Sequence, residues 1–115
     1  MDAAGIGVTL TDQNFQTMVL QAEQPVLVAF WSEGCGPWHM LAPEIAALAE
    51  AFRGQAAVAT LDVEAEPETP KRYGIENLPA VLFFKDGEVV DQLSGVVDKA
   101  DLAAKLHALT ESSQA

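Results

Sequence analysis

The uninterrupted apolar run Val26-Leu27-Val28-Ala29-Phe30-Trp31 constrains the fold more than any other stretch. It does not alternate, so it reads as a strand buried on both faces, near the centre of a parallel or mixed sheet. Ser32, Glu33 and Gly34 break the run, and Cys35-Gly36-Pro37 follows. Proline is tolerated in the first turn of a helix, where its missing N–H would have no partner anyway. From Met40 to Phe52 the apolar residues recur at helical spacing. The single cysteine of the chain is thereby placed where a strand hands over to a helix N-terminus. Unpaired N–H groups and the positive end of the helix dipole meet there, and both favour a thiolate.

The flanking sequence supplies the rest of an α/β domain. Residues 1–7 are small and glycine-containing, and read as a loose arm. Val8-Thr9-Leu10 reads as a short edge strand. Thr11 or Asp12 is expected to cap a helix with Phe15, Met18 and Val19 on one face. The helix from about Cys35 to Phe52 carries Leu41, Ile45, Leu48, Ala49 and Phe52 as its buried stripe, with Pro43 expected to kink it and Gly54 to stop it. A second inner strand covers Ala57 to Val63, followed by the acidic loop Glu64 to Glu68 and a short helix that Gly74 ends. After the irregular stretch 75–79, Ala80 to Lys85 and Glu88 to Leu93 form a hairpin about Asp86-Gly87. Gly95 breaks the second of these strands. Asp98 and Asp101 resemble a capping box for a last helix lined by Leu102, Leu106 and Leu109, and residues 110–115 are expected to fray. The order β-α-β-α-β-α-β-β-α implies one domain over residues 1–115. Its central mixed sheet has four to five strands, with helices on both faces.

Composition narrows the function. Seventeen acidic against six basic residues give a formal charge of −11, which repels phosphate backbones and anionic lipid, so nucleic-acid and membrane partners are excluded. No apolar run is long enough to span a bilayer, and the first residues lack a charged n-region and an apolar core. With a lone cysteine no intrachain disulfide is possible, which fits a reducing cytoplasm. Two histidines and one cysteine do not make a metal site; His39 reads as a solvated helix residue and His107 as boundary packing. Glu64, Glu66 and Glu68 lack the glycine turn of a calcium loop and read as a solvated loop. No cofactor motif is present.

With Trp31, Cys35-Gly36-Pro37, Pro43 and Pro79 placed, the chain resembles the thioredoxin family from about Val8 to Leu109. The family's run Trp-Ala-Glu-Trp-Cys-Gly-Pro-Cys-Lys-Met aligns with Trp31 to Met40. Its helix proline falls on Pro43 and its cis-proline on Pro79. Its Tyr-Gly-Ile segment is Tyr73-Gly74-Ile75, its hairpin is Phe84-Lys85-Asp86-Gly87-Glu88, and its late glycine is Gly95. The resemblance implies a thioredoxin fold, with Cys35 as the attacking sulfur. It also implies a client groove formed by Trp31, Gly34, Gly36, Pro37, Trp38, Leu78, Pro79 and Gly95.

The departures from the pattern carry as much meaning. The resolving cysteine is replaced by Trp38, the family's buried aspartate by Ala29, and the lysine that pairs with it by Thr60. Gly34 stands for the tryptophan before the first cysteine, and Ala80 for the threonine after the cis-proline. Trp38 reads either as a contact aromatic or as a filler of the lost thiol's space. Two functions follow. One is monothiol exchange, in which Cys35 forms a mixed disulfide with a client protein or peptide, or with glutathione, and an external thiol resolves it. The other is a catalytically inactive binding module, a holdase or assembly partner that uses the same surface. The chain is expected as a monomer or as a dimer linked through Cys35.

Overall fold

The computed structural model describes residues 8–95 and 97–112; the expected N-terminal arm and the last three residues lie outside them. Five strands form one sheet in the order β1-β3-β2-β4-β5. They are β1 (Val8–Thr9), β2 (Val26–Trp31), β3 (Ala57–Asp62), β4 (Ala80–Lys85) and β5 (Glu88–Ser94). The apolar run 26–31 is the central strand, with β3 parallel on one side and β4 antiparallel on the other. Its first five residues are buried, because helices cover both faces. One face carries Leu27, Ala29, Val58, Val81 and Phe83 under α1 (Gly36–Ala51) and α3 (Lys99–Ser112). The other carries Val26, Val28, Phe30, Leu61, Leu82 and Phe84, packed with Leu10, Phe15 and Val19. The result is the mixed α/β sheet that the thioredoxin resemblance implies.

The buried stripe of α1 is Leu41, Ile45 and Leu48 together with Trp38 at its start, and the helix runs unbroken through Pro43. Asp86 and Gly87 both adopt positive φ, 54° and 81°, as a two-residue hairpin turn requires. A Cβ on Gly87 would lie 2.9 Å from the Leu20 carbonyl oxygen, so this turn is also a close approach of two backbones.

Several expectations are corrected. The segment after β1 is a π-helical turn, Gln16–Leu20. Its wider winding keeps Phe15 and Val19 inside but leaves Met18 41% exposed, so Met18 is not on the buried face. Neither expected residue caps it, since its N-cap is Phe15 without a side-chain hydrogen bond; Thr11 closes the turn before it, with Asn14 N–H donating to Thr11 Oγ1 at 3.0 Å and Thr11 N–H to Asn14 Oδ1 at 2.8 Å. Asp12 instead serves α2 (Glu68–Arg72), accepting from Glu68 N–H, Thr69 N–H and Thr69 Oγ1 at 3.1, 2.8 and 2.7 Å. Glu66 is not simply solvated, since its Oε1 takes the Asp12 N–H at 2.8 Å. His107 is exposed on α3 and faces Glu111 at 3.5 Å, so it is not boundary packing. Thr110 does not fray: it is buried, and its hydroxyl donates to the His107 carbonyl at 2.7 Å within a helix that continues to Ser112.

Candidate functional site

Cys35 is the N-cap of α1, with φ −86° and ψ 102°, and Pro37 follows in the first turn. The loop that delivers it from β2 is closed by local hydrogen bonds. Cys35 N–H donates to the Ser32 carbonyl at 3.1 Å and Trp38 N–H to the Cys35 carbonyl at 3.2 Å. His39 Nε2 donates to the Glu33 carbonyl at 3.2 Å, so this exposed histidine braces the loop. The cysteine side chain makes no capping hydrogen bond. It is also largely shielded: Cys35 is 9% exposed and belongs to the buried cluster beneath α1. Burial follows from its neighbour one turn on, whose indole packs into the same cluster.

That neighbour is Trp38. It is 4% exposed, and its ring stacks on Trp31 with centroids 5.5 Å apart and planes 13° from parallel. Of the two alternatives left open by the sequence, the packing favours the filler: Trp38 lies in the core and is not displayed at the surface. Ala29 is fully buried in the same cluster, and across the β2–β3 ladder its register partner is Thr60. The positions where the family keeps an aspartate and a lysine are thus adjacent, and both are occupied here by small uncharged residues.

An apolar groove of about 510 Å³ opens beside the cysteine, walled by Gly36, Pro37, Met40 and Leu41 of α1 and by Pro79, Gly95 and Val97 opposite. The Leu78–Pro79 peptide bond is cis. Gly95, with φ 78°, donates its N–H to the Pro79 carbonyl at 3.0 Å, tying the two loops of that wall together. Glu44 and Lys99 close one end, their charged groups 3.9 Å apart. Of the residues expected around the groove, Gly36, Pro37, Pro79 and Gly95 line it. Trp31 and Leu78 are half-buried supports that pack on the core, Trp38 lies within the core, and Gly34 is exposed with open space where a Cβ would point. Met40, Leu41, Glu44, Val97 and Lys99 were not foreseen. Met40 had a signal: it falls between Trp38 and Leu41, out of phase with the buried stripe, and is 82% exposed.

Among the described residues, no group of three His, Cys, Asp or Glu side chains is placed to hold a metal ion, and no helix is long and apolar enough to cross a membrane.

The pattern of the Thioredoxin family matches residues 7–108. The chain is 43% identical over 103 residues to a thioredoxin of Chlorobaculum thiosulfatiphilum, an alignment that covers 90% of this chain and 95% of that protein. It is 45% identical over 96 residues to Thioredoxin 2 of Chlorobaculum tepidum, covering 84% and 88%. To a thioredoxin of Alicyclobacillus acidocaldarius it is 44% identical over 99 residues, covering 86% and 93%.

Proposed function

The chain belongs to the thioredoxin family, a lineage of thiol–disulfide oxidoreductases, and on that footing we propose that it performs monothiol exchange through Cys35. The thiolate of Cys35 attacks one sulfur of a client disulfide; the S–S bond breaks, the other client sulfur leaves as a thiolate, and a mixed disulfide forms. In a dithiol relative the second cysteine would displace the client. Here that position holds a buried indole, so an external thiol such as glutathione attacks the mixed disulfide, releases Cys35 and departs joined to the client. The observation that carries this reading is the pairing of a cysteine at a helix N-cap, beside an apolar groove and the cis Leu78–Pro79 bond, with a core-packed Trp38 in the resolving position.

An intramolecular resolving thiol benefits from an effective concentration far above that of a free one. With an electron donor of the thioredoxin-reductase type alone, insulin reduction should therefore run about a hundredfold or more below that of a two-cysteine relative. Addition of glutathione should restore turnover, and Cys35→Ser should abolish it. Intact mass after mild oxidation should show Cys35 joined to glutathione and not to a second copy. The reading fails if glutathione gives no turnover while client capture persists unchanged in Cys35→Ser. That result would identify a binding module.

A further inference from the structure

We propose that Met40 is an oxidant-modified position, at which conversion to the sulfoxide shuts the groove to apolar client segments while leaving the sulfur of Cys35 competent. The inference rests on the reading of the groove as the client surface.

The chain has three methionines. Of the two described, Met18 is 41% exposed and Met40 82%. Met40 does not pack into the core; α1 turns Leu41 and Ile45 inward and leaves Met40 on the groove lining that it shares with Pro37, Pro79 and Val97. The side chain is thus open to solvent in the wall that a client would cover. In the reaction, an Sδ lone pair attacks one oxygen of hydrogen peroxide, the O–O bond breaks, and the other oxygen leaves as water. Sulfur gives up the two electrons that the peroxide gains, and no proton is left over. The product replaces an apolar, adaptable side chain by a polar, chiral one. Covering that oxygen with an apolar client segment removes its water without supplying a partner.

The two sulfurs of the site would then answer different reagents. Disulfides at Cys35 are cleared by thiols, whereas a sulfoxide at Met40 persists in thiols until a methionine sulfoxide reductase removes it. A sulfoxide at Met40 would therefore outlast the thiol treatment that frees Cys35 from a mixed disulfide.

The test uses the full chain, with Cys35 masked as its methyl disulfide during peroxide treatment and freed afterwards with dithiothreitol. Peptide mass mapping should find the added oxygen on Met40 ahead of Met18. Exchange with an apolar peptide disulfide should slow about tenfold, while exchange with hydroxyethyl disulfide, too small to cover the groove, should stay within about twofold of the untreated rate. Methionine sulfoxide reductases should restore the peptide rate, and Met40→Leu protein should show the same rates before and after peroxide. Oxygen on Met18 with Met40 spared, an undiminished peptide rate, or an equal fall with both disulfides would each overturn the proposal. If untreated protein exchanges with neither disulfide, monothiol exchange fails as a reading. The affinity of the same peptide with serine for cysteine then decides the role of Met40: a tenfold loss on oxidation supports it, and no change refutes it.

Discussion

Truncating Trp38 to alanine separates a structural plug from a displayed contact. The side chain is 4% exposed and stacked on Trp31. A buried tryptophan removes about 150–250 Å² from water, which at about 25 cal/mol per Å² corresponds to roughly 4–6 kcal/mol, an upper bound because unfolded chains are partly compact. Measured truncations of large aromatic core residues cost about 3–5 kcal/mol, including the cavity left behind. Equilibrium urea unfolding followed by far-UV circular dichroism reads this directly. With a slope of about 2 kcal/mol per molar for a chain of this size, the midpoint should fall by roughly 1.5–2.5 M. Pairing the substitution with Trp31→Ala in a double-mutant cycle should return a coupling of about 0.5–1.5 kcal/mol from the stack. A midpoint shift below about 0.3 M would mean that the indole spends its time at the surface, and the account of position 38 as a filler would be wrong.

Other perturbations have equally definite outcomes. Trp38→Cys should form an intrachain disulfide with Cys35 on oxidation, seen as loss of both titratable thiols, and should make insulin reduction independent of glutathione at a stability cost of a few kcal/mol; if glutathione is still required, position 38 is not the missing resolver. Gly87→Ala forces a side chain into φ 81° against the Leu20 carbonyl and should lower stability by about 1–3 kcal/mol in the same urea assay; a neutral result would refute the close approach. Asp12→Ala removes the acceptor that holds the Glu68 and Thr69 amides and should cost about 1 kcal/mol at neutral pH, as N-cap losses do; an unchanged urea midpoint would refute this capping role. Burial works against ionisation of Asp12, but the Thr69 hydroxyl and amide, the Glu68 amide and Arg72 outweigh it and hold the carboxyl below its ordinary value of 3.8. The Lys105 hydrogen bond, helped by the Gln92 amide and opposed by burial, does the same at Asp91. Folded values below the unfolded ones mean that this stabilisation is present above about pH 4 and is lost as pH falls through the folded values. The urea midpoint should therefore drop on acidification below pH 4, with a shallower drop in Asp12→Asn/Asp91→Asn; identical acid limbs would refute the assignment.

Where a local apolar pattern decides burial, the sequence was legible. The run 26–31 announced a central strand because burial on both faces leaves no room for alternation. The positive φ values at Asp86 and Gly87 were likewise legible, because few residue pairs tolerate them. What could not be read were the ties between distant segments. Asp12 caps a helix that starts 56 residues later, and no local pattern points to that. Met18 was misplaced because a π-helical winding shifts the face by part of a turn, which a 3.6-residue template does not anticipate. At the site, the cysteine's position on the helix cap was local and therefore readable. The burial of Trp38 depended on Trp31, a residue of the preceding strand, so sequence reasoning had to leave contact and filler open.

Three of the five departures from the family pattern, Trp38, Ala29 and Thr60, are coupled by position. Ala29 and Thr60 are register partners in adjacent parallel strands, and Ala29 shares its buried cluster with Cys35 and Trp38. A carboxylate at position 29 would sit in the same apolar cluster as the indole, with no thiol proton to accept, and its desolvation would be uncompensated. A lysine at position 60 would lose its partner with the carboxylate and become costly in turn. Once the resolving thiol is gone, each remaining polar residue below it turns from useful to destabilising, so the set is expected to change together. Replacing a single cysteine to trap a complex would leave the acid behind. These substitutions bury Cys35 together with Trp38, whereas Pro37, Pro79 and Gly95 line the groove beside them. The groove walls keep the residues of the family pattern at Pro37, Pro79 and Gly95, while position 38 is occupied by core.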